Sequence, residues 1–224
     1  MAESDPRERL INAAVAMFEE SGYEAVTVEA IAQRAKVGRT TLFRLFGSKE
    51  GLVFPDHDAL LATVELKLSS ATKETVLAAV VDAARSVFSH YIGEGELARA
   101  RWRLTSSVPA LRDRETASVA RYRHVFRQHI ATHLSDAPNA ALRAELMATA
   151  VVTAHNYVLR RWLRGESTHP YDDFSAAMRT TLALFGRSAG NRTAVVLFET
   201  DEPLELVLPR LERAVSLSGG EDGG

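Results

Sequence analysis

The 224-residue chain contains no cysteine. This absence excludes disulfides, thiolate-bound zinc and a cysteine nucleophile, and it is compatible with a reducing compartment. No apolar run approaches the roughly 20 residues that a membrane-spanning helix needs. The first residues, Met-Ala-Glu-Ser-Asp-Pro, also lack the basic and apolar regions of a signal peptide. The composition therefore predicts a cytoplasmic protein without a membrane partner.

A strong overall charge is absent too, because the formal net charge is −2 and the isoelectric point is about 6.4. Such a protein does not coat nucleic acid nonspecifically. The basic residues are nevertheless concentrated in two stretches. Residues 26–50 carry five basic and two acidic residues, a net charge of +3. Residues 99–127 carry eight arginines, one aspartate and one glutamate, a net charge of +6.

Catalytic signatures are missing as well. The chain shows no nucleophile elbow, phosphate loop, paired inward carboxylates or complete metal-ligand set. His129 and His133 lie four residues apart, a spacing that can chelate zinc on a helix. No acidic residue or cysteine accompanies them at ligand spacing, so we interpret them as ordinary surface histidines. The sequence predicts neither an enzyme nor a cofactor nor a metal site.

Residues 27–52 describe two short helices joined by a tight turn. Thr27 is a good N-cap for a first helix whose apolar positions follow helical spacing. Lys36-Val37-Gly38 interrupts this pattern, and we expect Gly38 to adopt the turn conformation. The second helix opens with the polar residues Arg39, Thr40 and Thr41, while its apolar residues crowd the C-terminal half. Such a helix suits the major groove of DNA.

The polar side chains of this segment have plausible DNA partners. Arg39 can make a bidentate contact to guanine, and the two threonines can offer a hydroxyl or a methyl group to a base. Ser48 is expected to cap a further helix whose first turn carries Lys49. Exposed amides and a lysine at a helix start form a phosphate site. The basic charge of residues 26–50 therefore coincides with the motif, although an isolated charge run is usually a solvated face.

These residues together resemble the TetR family of transcriptional regulators. The resemblance covers roughly the first quarter of the chain and rests on a specific motif. It includes Leu10, Ile11, Ala14, Val15, Phe18, Gly22, Tyr23, Thr27, Val28, Ile31, Ala32, Ala35, Val37, Thr41, Leu42, Phe43, Phe46, Ser48, Lys49, Glu50 and Leu52. The family usually has Ser at Gly38 and Tyr at Phe43, and that Tyr commonly reaches a phosphate. Phe43 has no hydroxyl, so Arg44 is expected to take over this contact.

The resemblance implies an all-α fold and a homodimer on a palindromic operator in double-stranded DNA. We expect a three-helix DNA-binding domain at 1–50 and a helical ligand-binding and dimerisation domain at 51–190. The predicted DNA-binding residues are Thr27, Gly38, Arg39, Thr40, Thr41, Phe43, Arg44 and Lys49.

Hydrophobic spacing and breaker residues predict the helices individually. We place them at 6–21, 28–35, 39–45, 49–71 with a bend at Pro55, 74–92, 96–107, 113–134, 138–164 and 172–187. A C-terminal extension at 191–217 departs from the family pattern. It contains a β-rich run at 193–199, which either pairs with its counterpart in another subunit or docks as an extended segment, and a helix at 203–217. The Gly-rich tail at 218–224 is predicted to be disordered.

Two stripes in the last body helices suggest a subunit interface. Small and apolar residues repeat at three and four positions, which favours close helix packing. Such stripes are more often plain core, but in TetR-like proteins the last two body helices pair across a two-fold axis. The predicted interface residues are Leu146, Ala150, Ala154, Val158, Met178 and Leu182.

Residues 85–130 combine aromatic residues with the arginine-rich stretch. This combination predicts that they line a chamber for a small molecule. Apolar walls with a few positive groups suit an anionic amphiphile, although these arginines could equally lie along a helix surface. The segment from Phe43 to His57 is similar to TetR regulators of mycofactocin systems, some of which respond to acyl-coenzyme A. His155 could face the chamber or be a satisfied core residue. The predicted ligand-binding residues are Phe88, Tyr91, Trp102, Arg103, Arg121, Tyr122, Val125, Phe126 and His155.

The sequence thus predicts a ligand-responsive transcriptional regulator, specifically a repressor that leaves a palindromic operator when an amphiphilic effector, such as an acyl-coenzyme A, binds the body. The main alternative is a constitutive DNA-binding or architectural protein with a solid, ligand-free body. A thermal-shift screen separates the two, because a ligand that binds only the folded state raises its stability.

Overall fold

The computed structural model describes residues 5–134 and 139–185, in which every regular element is helical. The all-α prediction is confirmed. The helices are α1 (Pro6–Ser21), α2 (Val28–Arg34), α3 (Arg39–Phe46), α4 (His57–Ser69), α5 (Val76–Glu94), α6 (Glu96–Ser107), α7 (Pro109–His133), α8 (Ala140–Leu163) and α9 (Pro170–Ala183), with a 3₁₀ turn at Glu50–Leu52. The predicted strand at 193–199, the helix at 203–217 and the tail at 218–224 lie outside the described residues.

The chain divides into two compact units, Met1–Met178 and Arg179–Gly224. Of the second unit the structure describes residues 179–185, which include the end of α9. The finer domain division made from the sequence stays a prediction. Within the described ranges no helix is both long and apolar enough to cross a membrane.

Helices α1 to α3 form because each start is well defined and each buries one face. Pro6 occupies the first turn of α1, and the Asp5 side chain accepts a hydrogen bond from the Arg7 amide at 3.2 Å. The Thr27 hydroxyl accepts one from the Ala30 amide at 3.2 Å, so the predicted N-cap of α2 is confirmed. The buried faces meet in a cluster that includes Leu10, Phe18, Ile31 and Leu42.

The predicted helix at 49–71, bent at Pro55, is wrong. The chain forms the short 3₁₀ turn at Glu50–Leu52 and begins α4 only at His57. Asp56 is the N-cap of α4, since its carboxylate accepts a hydrogen bond from the Ala59 amide at 3.1 Å. Pro55 therefore precedes a helix instead of bending one, which avoids the clash that a proline causes inside a helix.

Helices α4 to α8 form the body. Helix α7 packs along α8, and α4 packs along α5, around buried residues such as Val64, Val80, Phe126 and Ala148. Helices α7 and α9 both begin earlier than predicted, because Pro109 and Pro170 occupy their first turns. Proline is well suited to that position, where its missing N–H is not needed.

Helices α1 to α3 and the body share buried side chains. Leu104 of α6 and Leu111 of α7 belong to the same cluster as the core of α1 to α3. The segment Val53-Phe54, which follows the 3₁₀ turn, is also buried in this cluster. Helix α6 and the start of α7 are therefore in direct contact with the close-packed core of α1 to α3.

Candidate DNA-binding surface and effector cavity

Helix α3 has one buried side and one exposed, polar opening turn. Leu42 is completely buried under the helix, whereas Arg39, Thr40 and Arg44 are exposed. Thr41 is half-buried at the edge of the exposed surface. This is the arrangement that lets the N-terminal residues of a helix meet base edges in the major groove.

The turn between α2 and α3 differs from the sequence prediction. Gly38 is the N-cap of α3 with φ of −67° and ψ of 143°, an extended conformation that any residue adopts. The left-handed residue of the turn is Lys36, with φ of 54°. The prediction that Gly38 supplies the special turn conformation is therefore wrong. A Cβ atom at Gly38 would meet only the Thr41 hydroxyl at 4.0 Å, so the described residues require neither the backbone freedom nor the small size of glycine there.

Arg39 has partners on the protein surface. Its Nε lies 3.1 Å from the Glu29 carboxylate, and its guanidinium lies over the Phe43 ring, 5.4 Å from the ring centroid. Phe43, for which sequence reasoning found no phosphate contact, thus supports the neighbouring arginine. Arg44 makes no ion pair or hydrogen bond with any residue in the described ranges, so its guanidinium is available for a phosphate.

The predicted phosphate site at Ser48 and Lys49 lacks its helix. The Ser48 hydroxyl accepts a hydrogen bond from the Gly51 amide at 3.3 Å, but the element that follows is only the three-residue turn at Glu50–Leu52. The Lys49 ammonium lies 4.2 Å from the centroid of the Tyr23 ring. Burial, followed by the Glu50 charge, raises the pKa of Tyr23 above its usual range. Because its ammonium packs on the Tyr23 ring, Lys49 has a partner within the protein. Phosphate binding by Lys49 stays a prediction.

Two adjoining cavities open in the body. The outer cleft has a volume of about 450 Å³ and is lined by α5, α6, α7, α8 and the segment Val53-Phe54-Pro55. The inner recess has a volume of about 40 Å³ and is lined by α4, α5, α7 and α8. A cleft of this size can hold a small organic ligand, whereas the recess has room for a single functional group.

Five of the predicted ligand-binding residues line these cavities. Trp102 borders the outer cleft, Tyr122, Phe126 and His155 border the inner recess, and Tyr91 borders both. Four of the five predicted aromatic residues and His155 therefore lie in the cavity walls.

The other four predicted residues lie elsewhere. Phe88 is completely buried against the rings of Phe174 and His155, and Val125 borders a separate surface groove. Arg103 is exposed and pairs with Glu19 of α1 at 2.5 Å. Arg121 is exposed and pairs with Asp58 of α4 at 2.5 Å. This corrects the prediction that these four side chains line the chamber. Helical periodicity identifies a face but not the neighbour that this face meets.

The arginines that do line the outer cleft are Arg101, Arg112, Arg160 and Arg164. Arg101 is buried and pairs with Glu94, so its charge is compensated inside the protein. The other three are exposed and lie at the opening. The sequence indicated an arginine-rich region correctly but selected the wrong members of it.

The polar residues of the cavity walls that the predicted ligand set missed include His57, Glu115, Asn156 and Arg160. A signal for Glu115 was present, because Glu115, Val119, Tyr122 and Phe126 recur at four, three and four residues on α7. All four line the inner recess. A charged residue in such a stripe is a candidate ligand contact.

The histidines of the recess are neutral groups. His57 Nδ1 lies 3.1 Å from the Tyr122 hydroxyl, and His155 Nδ1 lies 3.1 Å from the Asn156 carboxamide oxygen. Burial, with the Arg121 charge as the next cause, lowers the pKa of His57 to about 4. Burial also lowers the pKa of His155 to about 4, against the opposing effect of its Asn156 hydrogen bond.

One member of the histidine pair on α7, His133, is engaged by backbone groups. His133 places Nδ1 at 2.8 Å from the His129 carbonyl oxygen and Nε2 at 2.9 Å from the Ala71 carbonyl oxygen. Neither ring nitrogen of His133 is available to a metal in this arrangement. Among the described residues, no group of three His, Asp or Glu side chains could hold a metal ion.

The predicted interface residues lie on two different faces. Leu146 is 51% exposed, and Ala150 and Ala154 are half-buried beside it. Val158 and Met178 are 1% and 0% exposed, so they fill the core of their own chain and cannot present an open face. Leu182 is also largely buried. This corrects the interface prediction for Val158, Met178 and Leu182. The exposed apolar face of α8 instead consists of Leu142, Leu146 and Tyr157.

Comparison with known proteins extends the geometric picture. Residues 10–54 match the family described as bacterial regulatory proteins, tetR family, and residues 74–186, half of the chain, match the MftR C-terminal domain. The transcriptional repressor KstR of Rhodococcus jostii is 42% identical over 52 residues, 23% of this chain. The transcriptional regulator MftR of Mycobacterium tuberculosis is 26% identical over 166 residues, 73% of this chain and 83% of MftR.

The match covers only 24% of the length of KstR. Among solved structures, the SmeT–triclosan complex has the same fold, with a TM-score of 0.59 at 18% identity over 80% of this chain and 90% of that chain.

Proposed function

Because this chain belongs to the tetR family of bacterial regulatory proteins, we propose that it is a cytoplasmic transcriptional repressor that binds a palindromic operator as a homodimer. An amphiphilic effector in the outer cleft releases it. One observation carries this proposal: the cleft borders Val53-Phe54, which belongs to the buried cluster that supports α3. The family consists of regulatory proteins, in agreement with the prediction that the chain is not an enzyme.

The exposed opening turn of α3 supports the DNA-binding half of the proposal. Arg39 and Thr40 read base edges, Arg44 binds a phosphate, and the buried Leu42 fixes the helix on its support. The direction of regulation is extended from KstR, which is named a repressor.

The shape and charge of the outer cleft support an anionic amphiphile as the effector. Apolar and aromatic residues line it, and Arg112, Arg160 and Arg164 are exposed at its opening. Guanidinium groups bind carboxylates and phosphates bidentately, and the apolar wall favours a hydrocarbon chain. We propose an acyl-coenzyme A as the first candidate, with its acyl chain in the cleft and its phosphates on the three arginines.

A constitutive DNA-binding protein with a solid body remains the alternative. The cleft favours the ligand-responsive function, because its volume of about 450 Å³ and its mixed apolar and polar walls can hold a small organic ligand.

The test titrates an acyl-coenzyme A, the free fatty acid and coenzyme A alone against a labelled operator complex, with thermal unfolding of the free protein measured alongside. We expect the acylated compound to release the operator and to raise the unfolding temperature. Arg160→Ala should weaken this release, whereas Arg121→Ala, an arginine outside both cavities, should not. An operator complex that forms but responds to none of the three compounds would favour the constitutive alternative.

A further inference from the structure

Three polar side chains lie where the outer cleft meets the inner recess. Tyr91 of α5, Glu115 of α7 and Asn156 of α8 border both cavities. The remaining residues common to the two walls, Val119 and Leu159, are apolar. We call Tyr91, Glu115 and Asn156 the polar belt. A ligand that enters the recess from the cleft must pass between these three groups.

Tyr91 and Glu115 are half-buried in the cavity walls, and they lack protein partners in the described ranges. Burial raises the pKa of both side chains above their usual values, and the Arg160 charge partly opposes this for Glu115. In the described ranges, neither the Tyr91 hydroxyl nor the Glu115 carboxyl makes a hydrogen bond or an ion pair. Some polar atoms without a partner, such as Nε2 of His57 and of His155, are completely covered by protein atoms. The Tyr91 hydroxyl and the Glu115 carboxyl are not among these covered atoms. Their polar atoms therefore face the cavities.

Asn156 has spare hydrogen-bonding capacity as well. Its carboxamide oxygen accepts from His155 Nδ1–H at 3.1 Å, which leaves its two N–H donors without a partner in the part of the chain that the structure describes. By contrast, the Tyr122 hydroxyl deeper in the recess is already bonded to His57 Nδ1 at 3.1 Å. All three members of the belt thus have spare hydrogen-bonding capacity at the place where the two cavities meet.

A partly buried polar group without a hydrogen-bond partner is unfavourable, so the belt is suited to a ligand that carries a matching group. The Glu115 carboxyl oxygen can accept a hydrogen bond, the Asn156 amide N–H can donate one, and the Tyr91 phenol can do both. A plain hydrocarbon would satisfy none of them. An ammonium group would meet Arg101 and Arg160, which line the same cleft, and an anionic group would meet the Glu115 carboxyl. A hydroxyl group both donates and accepts and carries no charge.

We propose that the polar belt binds a hydroxyl group on the apolar part of the effector, so that the effector class is a hydroxylated amphiphile. The head group remains at the arginines of the opening, and the hydroxyl lies at the mouth of the recess. This inference rests on the proposed function in one respect, namely that the ligand of the outer cleft is the effector.

The test compares dodecanoic acid with its 2-, 3- and 12-hydroxy derivatives by calorimetry on the full chain. At least one hydroxylated acid should bind about tenfold more tightly than dodecanoic acid, the effect of roughly one well-placed hydrogen bond. Tyr91→Phe should abolish this preference while leaving the affinity for dodecanoic acid equal or higher. Glu115→Leu should reduce the preference also. Tyr171→Phe, the same substitution at an exposed tyrosine of α9 outside both cavities, is the matched control.

Thermal unfolding separates ligand recognition from a structural role. If the Tyr91 hydroxyl serves the ligand, Tyr91→Phe without ligand should unfold at the wild-type temperature or above it, because an unpartnered buried hydroxyl is removed. Equal affinities of all four acids for the wild type, or a preference that survives in Tyr91→Phe, would overturn the inference. Failure of every acid to bind would overturn it too. Operator binding and its release by acyl-coenzyme A are measured separately, so the proposed function can stand when the hydroxyl inference falls.

Discussion

Arg39 is held in place before any DNA is bound. Its contacts with Glu29 and the Phe43 ring lie on exposed surface, so each contributes little to folding stability. Their effect is to restrict the rotamers of a long side chain next to its target, which reduces the entropy lost on binding. The substitution of Phe for the usual Tyr at position 43 thus removes a phosphate donor but keeps a ring on which the arginine rests.

Arg39→Ala should therefore relax sequence preference at one operator position and weaken specific binding by about 1–3 kcal/mol. Arg44→Ala should weaken binding to all sequences alike and reduce the salt dependence by about one counterion. Binding to a set of single-base operator variants at several salt concentrations measures both effects. Equal, sequence-independent losses for the two variants would reject base reading by Arg39.

The neutral histidines of the recess predict a pH dependence of stability. His57 and His155 have pKa values of about 4 in the folded protein, against 6.5 for an ordinary histidine. Between pH 6.5 and 4 the unfolded chain takes up protons that the folded chain does not, so the free energy of unfolding falls as the pH falls. Above pH 6.5 neither group contributes. Each histidine accounts for about 3 kcal/mol over this window.

Denaturant unfolding between pH 7.5 and 5 should show this loss, and His155→Gln should make the slope shallower by about one proton. The Glu115 carboxyl acts in the opposite direction, since burial raises its pKa, but it is common to both proteins and cancels in the comparison. An unchanged slope in the variant would mean that His155 takes up its proton without unfolding.

At the scale of single elements, the turn between α2 and α3 has its glycine and its left-handed residue at different positions. Lys36 has φ of 54°, a conformation that is unfavourable for a residue with a Cβ atom. Gly38 is an N-cap without a side-chain hydrogen bond, and a Cβ there would meet only the Thr41 hydroxyl at 4.0 Å. The local conformation therefore allows a substitution at either position to raise the free energy of unfolding.

Lys36→Gly and Gly38→Ser should each raise the free energy of unfolding by about 0.5–1 kcal/mol, the first by relieving strain and the second by capping α3 and restricting the unfolded chain. Gly51→Ala is the contrasting substitution, because its Cβ would lie 2.1 Å from the Phe46 carbonyl oxygen and should destabilise the protein. Thermal unfolding of the three variants measures these effects. A loss of stability in Gly38→Ser would show that the turn requires glycine after all.

The helices that local signals define were predictable, and the contacts between them were not. The bounds of α1 and α6 agree with the sequence prediction to the residue, because Pro6 and the glycine before Glu96 mark their starts. The prediction of one helix at 49–71 failed, since a proline such as Pro55 can either bend a helix or precede one. The prediction of the exposed residues of α8 failed for a different reason. It is apolar on two faces, and periodicity could not separate the buried Val158 from the exposed Leu146.

At the scale of the whole molecule, the exposed face of α8 is the best candidate for the two-fold contact. Leu142, Leu146 and Tyr157 are 59%, 51% and 60% exposed, and exposed apolar residues clustered on one helix face are typical of an interface. A palindromic operator also requires two recognition helices about one turn of DNA apart.

Leu146→Glu should therefore yield monomers and weaken operator binding, because the interface would bury an unpaired charge. Leu66→Glu is the matched control, since Leu66 is 75% exposed on α4 and should tolerate the charge. Analytical ultracentrifugation and operator titration measure the two outcomes. A Leu146→Glu protein that stays dimeric would place the interface elsewhere.

Effector and operator must oppose each other by the same factor, since the coupling free energy between two sites is reciprocal. The route for this coupling runs through α6, which lines the outer cleft with Trp102 and packs on α1. Arg103, one residue further, pairs with Glu19 of α1 at 2.5 Å. Because both partners of this pair are about half exposed, its contribution is modest, at most about 1 kcal/mol. That amount corresponds to a factor of about five in the coupling.

Arg103→Ala should consequently reduce the factor by which effector weakens operator binding, by up to about fivefold, with little change in either affinity measured alone. Arg121→Ala is the control, since its ion pair with Asp58 joins α7 to α4 within the body and does not reach α1. Effector titrations with and without operator give the coupling factor for each variant. If Arg103→Ala couples like the wild type, the ion pair is not part of the route. The buried contacts of Leu104 and Leu111 with the DNA-binding core then carry the signal alone.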